Sequence, residues 1–329
     1  MNLVTLSTQQ DIERLLSDVE AHNTKKSLIN VTGEYYSDTN ILYADTITFS
    51  QRSTLHFDSP DEVRLPPDFY LIYADKIVLN EGTSVAKIVV SRKDDNVFST
   101  YLRGVDGSAH VGSARSGNYG GDRGGTGHNG DSGLEGHNGT AGQTLQLGTL
   151  VIAANEVVNK GATGRPTKIT IEGYGVNGGH GGNGGPGQNG GQGGKGGAAV
   201  VSNRGLTCKH TRGSGGNGGA GGPGGNGGLG ASGGDGVNVV LIGKEDLFID
   251  PWYSMTSFEL FGGEIGRGGD GGAGGLPGER GPRGDERAPC NTFPAEGQPG
   301  SPGDKGLSGL DGESVGAKGQ VTYYPVVGV

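Results

Sequence analysis

Few side chains in this sequence have the types and spacing that chemistry requires. Asp45, Asp75 and Asn155 recur at one position of an internal repeat. A carboxylate pair there would suit acid–base work or a cation. At a repeat corner, however, such residues more commonly bond their own backbone as turns, and the turn is the reading adopted. His128 and His137 fall in one triplet phase. At about 3.1 Å of rise per residue they would stand roughly 28 Å apart, too far to share a metal. His110 and His180 lie in other segments. Strings of the GxGxxG type occur throughout, but none sits between a strand and a helix, so none is a dinucleotide fingerprint. No serine occupies a nucleophile elbow. Cys208 and Cys290 have no activating partner set by spacing. Arg283-Gly284-Asp285 resembles an integrin tripeptide, a string that charged glycine triplets generate by chance. The expectation is a protein that is not an enzyme, with no cofactor and no metal.

What remains is side chains suited to binding. Irregular segments gather candidate binding residues: Arg115 and Tyr119 in one, Arg204, Lys209, His210 and Arg212 in a second, Arg287, Phe293 and Glu296 in a third. Loops on rigid scaffolds commonly carry recognition.

Composition narrows the class further. The 329 residues include 72 glycines, only 31% are hydrophobic, and the net charge is −9. That charge argues against nucleic acid as a partner. No apolar run is long enough for a membrane span, so no insertion is expected. No classical signal peptide is read at the N-terminus, and an extracellular or virion-surface location reached by another route is favoured.

The elements that must position these residues are set by glycine. Three blocks, 104–147, 173–237 and 262–320, carry glycine at every third residue, as in Gly121, Gly124, Gly127 and Gly130, or Gly215, Gly218, Gly221 and Gly224. Three is the period of the polyproline-II helix, and a glycine edge lets another backbone approach closely enough to exchange hydrogen bonds. Each block breaks midway, so each reads as a hairpin of two arms and a tip, with tips near 113–119, 202–212 and 285–296. An arm of 22 residues would span about 65–70 Å. Collagen-like trimers and flexible linkers are the competing readings. The arms flanking the second and third tips are similar in length, which predicts adjacent tips and a disulfide between Cys208 and Cys290. Outward triplet residues such as Asn183 and Gln192 read as ordinary surface positions.

The sequence between the blocks reads as strand. Leu42 to Ile47 matches Ile72 to Ile77 and, more loosely, Ile152 to Val157, each followed by a second strand at Thr54–Phe57, Ala86–Val90 or Lys168–Ile171. Further apolar runs are read at 239–242, 247–252, 258–261 and 321–327. Residues 8–22 form one amphipathic helix, with Thr8 as N-cap and Asp11 as its capping-box partner. The predicted class is mainly β and polyglycine-II: a β-solenoid-like or sandwich strand base, hairpins of packed polyglycine-II helices, and one short N-terminal helix. The organisation is a helix and strand base at 1–103, arms over 104–320 interleaved with base strands at 148–172 and 238–261, and a C-terminal strand at 321–329.

Strict triplets such as Gly-Gly-Asn-Gly-Gly-Ala at 215–220, broken by irregular tips, resemble the glycine sandwich of receptor-binding adhesins on T-even-type phage tail fibres. The resemblance implies rigid helices whose distal loops contact a surface receptor. Springtail antifreeze proteins also use glycine triplets, but with small outward side chains, whereas here the outward positions include Asn, His, Lys and Glu. The function expected is a rigid scaffold displaying tip loops to a cell-surface glycan or protein receptor. The second reading is a structural subunit that binds copies of itself through exposed polyglycine or strand edges.

Overall fold

The computed structural model describes residues 8–57, 67–80, 85–90, 102–110, 112–118, 121, 124–161, 167–202 and 207–325. Helix α1 (Gln9–His22) starts as its sequence dictates: Thr8 accepts from the Asp11 N–H, and the Asp11 carboxylate accepts from the Thr8 N–H. Such a reciprocal cap satisfies donors that the first helical turn would otherwise leave open. The buried Ile12, Leu16 and Val19 pack on Leu71, Tyr73, Val151 and Ile242. The helix therefore covers the outer face of a sheet.

That sheet has six parallel strands: β1 (Lys26–Val31), β3 (Ile41–Phe49), β5 (Phe69–Leu79), β7 (Thr149–Asn159), β11 (Val239–Gly243) and β13 (Val321–Pro325), in that order. A second sheet of five parallel strands runs β2 (Glu34–Tyr36), β4 (Thr54–His56), β6 (Ala86–Val89), β8 (Ile169–Glu172) and β12 (Thr256–Glu259). The chain alternates between the sheets. The repeat seen in the sequence is their register: Leu42 pairs with Ile72 and Ile72 with Ile152. Val31, Phe49 and Leu79 from one sheet and Leu55 and Ile88 from the other fill the core between them. Burying each such side chain is worth about 1.5–3 kcal/mol.

The predicted class is corrected. Regular structure among the described residues is mainly parallel β-sheet, with three sheets and two α-helices, α1 and α2 (Asp250–Met255). Among the described residues no closed solenoid coil is shown. The described glycine-rich residues outside the tips carry almost no helix or strand assignment, so polyglycine-II is not indicated as an element of the fold. The physical reason is that period-three glycine specifies which edge of a segment is bare, and that alone does not define a fold class. The apolar run 247–252 is also not a strand. It forms a π-helical turn, Glu245–Ile249, running into α2, and buries Phe248 and Trp252. Residues 326–327 of the C-terminal run lie outside the described residues.

The glycine-rich segments are ordered by backbone hydrogen bonds to one another. Among the described residues six arms alternate between two layers. Arms one, three and five run parallel in one layer, as in Gly104 N–H to His180 O at 2.7 Å and Gly181 N–H to Arg267 O at 2.8 Å. Arms two, four and six form the other, as in Gly139 N–H to Asn226 O and Gly227 N–H to Leu307 O, both 2.8 Å. Successive arms are antiparallel across the layers: Gly222 donates to Gln188 O and Gly275 to Gly222 O, both at 2.8 Å. The arm order continues the sheets, because β8 and β12 lead into arms three and five while arms two, four and six lead into β7, β11 and β13.

Neighbours decide how many glycines each triplet needs. In arm four Gly221 donates to Ser301 of arm six and Gly222 to Gln188 of arm three. Both positions must be bare, and the triplets read Gly-Gly-x. Arm six lies outermost and keeps one glycine per triplet, as in Gly303 donating to Gly275.

Candidate functional site

The second and third breaks in the glycine period meet at the far end of the arms. Strands β9 (Val200–Val201) and β10 (Cys208–His210) form a small antiparallel hairpin, and Cys208 is disulfide-bonded to Cys290 with a Cα separation of 5.0 Å. Cys290 is buried, and its N–H donates to the Arg287 carbonyl in a tight turn. The arms deliver both cysteines to one height: Gly284 N–H donates to Gly213 O, and Ala199 N–H to Asp285 O.

Arg212 ties the two tips a second time. Its side chain is only 7% exposed; Nε donates to Thr292 O at 2.6 Å, Nη1 lies 3.4 Å from Glu286 Oε2, and the guanidinium sits 5.0 Å from the Phe293 ring centre. Glu296 is held by Arg280 at 3.2 Å and Arg283 at 3.3 Å, and Lys195 pairs with Asp285 at 2.6 Å. Arg212 and Glu296 are therefore spent inside the tip. Lys209, His210 and Arg287 are exposed, and Phe293 is 74% exposed. Lys209 and Arg287 make no ion pair among the described residues.

The first tip lies elsewhere than expected. Ala114 and Gly117 donate to Asn189 and Gln192 as arm residues, and His128 N–H already returns to Asn118 O. The reversal falls after Asn118, where Gly121 and Gly124 have φ of +81° and +68°, a backbone that glycine adopts without strain. Arg115 is on an arm, its carbonyl accepting from Asp131. Tyr119 and Arg204 lie outside the described residues.

The repeat carboxylates are not turns. Asp45 and Asp75 stand within β3 and β5, and Lys25 Nζ bridges them at 3.1 and 2.8 Å. The hydrogen bond that Lys25 donates to the Asp75 carboxylate leads in raising the Lys25 pKa. Spacing could not reveal this, because Lys25 lies outside the repeat. The arms also bring His110 and His137 together, with ring centres 4.9 Å apart, although the sequence places them on different arms. Among the described residues no group of three or more His, Cys, Asp or Glu could hold a metal ion, and no helix is long and apolar enough to cross a membrane.

Outward asparagines have a role that the sequence reading missed. Asn183 Oδ1 accepts from the Asp270 N–H at 2.9 Å, and the Asn183 N–H donates to Asp106 Oδ1 at 2.7 Å, a row across arms one, three and five. Asn129, Asn217 and Gln298 repeat it across arms two, four and six, with bonds of 2.9 and 2.8 Å. Asn recurring at the third triplet position was the available signal. A concavity of about 370 Å³ lies at the junction of arms and sheet, lined by Asp235, Asn238, Lys318, Gln320 and Tyr324, and is remote in the chain path from the tips.

No family model matches this chain, and no curated protein is similar to it. Among solved structures it is similar to an antifreeze protein from the springtail Granisotoma rainieri, described as a nine polyproline type II helical bundle. The identity is 20%, over 61% of this chain and 94% of that one, with a TM-score of 0.13. A score that low carries no argument about fold or function.

Proposed function

We propose that the chain is a non-enzymatic scaffold that presents its joined second and third tips to a surface receptor, in the manner of the adhesins its glycine period resembles. The observation that carries this reading is the double fastening of those tips. A disulfide and the buried Arg212 hold a short loop rigid while leaving Phe293, Lys209 and Arg287 exposed at its surface. Order maintained at an exposed apex lowers the entropic cost of binding. A disulfide also suits an oxidising location.

Self-assembly through backbone edges is the second reading. Arm six speaks against it, since two residues in every triplet there carry side chains, and Leu307 and Leu310 are each 74% exposed. Those Cβ atoms keep a further backbone from the close approach seen between inner arms.

The test is attachment of fluorescently labelled protein to a panel of intact bacterial and animal cells. Lys209→Ala with Phe293→Ala should abolish attachment, and Leu307→Ser with Leu310→Ser should not. The opposite pattern, together with concentration-dependent growth in sedimentation equilibrium, would overturn the display reading in favour of assembly.

A further inference from the structure

We infer that the joined tips recognise an anionic saccharide, a deepening that rests on the display reading. Three observations carry it. The first is charge asymmetry. The whole chain has a net charge of −9. Yet among the described residues of 195–212 there are three cations, Lys195, Lys209 and Arg212, and no carboxylate. The second is how the tip's carboxylates are used. Asp285 is taken by Lys195, Glu286 by Arg212, and Glu296 by Arg280 and Arg283 together. That leaves Lys209 and Arg287 exposed beside one another's loops, which the Cys208–Cys290 bond joins. The third is Phe293, 74% exposed, with the buried Arg212 guanidinium 5.0 Å from its ring centre.

A free aromatic ring held from behind by a cation is a fixed flat platform. With Lys209 and Arg287 exposed on the same joined tips and in no ion pair among the described residues, it matches a ligand that has an apolar face and an anionic edge. A sugar ring carrying carboxylate, sulfate or phosphate has both. In a protein of net negative charge a local positive patch steers anions toward itself, while the negative remainder repels them. An acidic peptide would find the same charges, but not a use for the ring platform along its whole length.

The experiment measures binding of the full-length protein to dextran sulfate, to neutral dextran of equal size, and to poly-L-glutamate, by isothermal titration calorimetry at low and at physiological salt. Dextran sulfate should bind, neutral dextran should not, and poly-L-glutamate should bind at least about tenfold more weakly. Lys209→Ala with Arg287→Ala should raise the dextran sulfate Kd by about tenfold or more. Phe293→Leu keeps the apolar bulk but removes the ring, and should raise it about fivefold at an unchanged melting temperature. Equal or tighter binding of poly-L-glutamate would overturn the saccharide assignment in favour of an acidic peptide. No binding of dextran sulfate, or binding that the tip variants leave unchanged, would overturn the inference outright. If those variants still lose cell attachment, the display reading survives that failure; if they attach normally, both fall.

Discussion

The Cα of Gly222 faces the carbonyl of Leu134 so closely that an added Cβ would lie 2.0 Å from that oxygen. Gly222 also donates to Gln188 and accepts from Gly275, so it has no free side on which to retreat. Gly222→Val should therefore destabilise the protein by about 3 kcal/mol or more, at the upper end for overpacking. Ser301→Ala, on an exposed outward position of arm six, should stay within about ±0.5 kcal/mol. Urea unfolding of the two variants checks this, and equal midpoints would mean that the close approach between arms is not what holds them.

Asn183 and Gln192 both sit at outward triplet positions of arm three, yet only Asn183 has a backbone N–H across the layer on its side chain, that of Asp270 at 2.9 Å. Asn183→Ser should shorten the reach and cost about 0.5–1 kcal/mol, the net value of one hydrogen bond where water can replace the acceptor. Gln192→Ser should be neutral within about ±0.5 kcal/mol. Hydrogen exchange at the Asp270 amide gives a site-specific readout, and protection that survives Asn183→Ser would remove the asparagine rows as stabilising elements.

What was legible in the sequence was local or periodic. Thr8 and Asp11 announce α1 because a capping box spans four residues, and the Leu42, Ile72 and Ile152 repeat anticipates the strand register because parallel strands stack like on like. The glycine period locates the arms and the second and third tips. It misplaces the first tip, because Gly107 and Gly117 keep contact with arm three although the residues between them break the period. The run 247–252 was misread because a short apolar run has no periodicity that separates strand from buried helix. Long-range side-chain partners were beyond reach. Nothing in spacing links Lys25 to Asp45 and Asp75, or Arg212 to Glu286 and Phe293, since folding sets those distances and sequence separation does not.

Alkaline pH should loosen α1 from its sheet. Burial, and then its hydrogen bond to Glu20 on the helix, raise the Tyr73 pKa well above its ordinary 10.0. The raised value means that the neutral phenol is favoured in the folded state. Its contribution is complete below the unfolded pKa of 10.0 and is lost as pH climbs from there through the folded value. Melting temperature should fall steeply above about pH 10 in the native protein and less steeply in Tyr73→Phe. Parallel curves for the two proteins would show that ionisation of Tyr73 is not coupled to unfolding.

The Cys208–Cys290 bond closes a loop of sequence separation 82. In the chain-entropy account a loop of that length restricts the unfolded state by roughly 4.5 kcal/mol, an upper figure because denatured-state structure and strain reduce it. Cys208→Ser with Cys290→Ser should lower stability by about 2–4 kcal/mol. The native arms should persist, because their hydrogen bonds run independently from Gly175 through Gly196 and from Gly213 through Gly236. Local effects should concentrate at β9 and β10, where Cys208 is the covalent tie between the hairpin and the third tip. The remaining side-chain ties are the buried Arg212, bonded to Thr292 O and paired with Glu286, and the exposed Lys195–Asp285 pair, and none of them is covalent. Hydrogen exchange in the serine double variant should therefore rise at residues 200–210 and 287–293 and stay unchanged at Gly181 and Gly228. Uniform acceleration along the arms would mean that the bond holds the whole lattice and not only its tip.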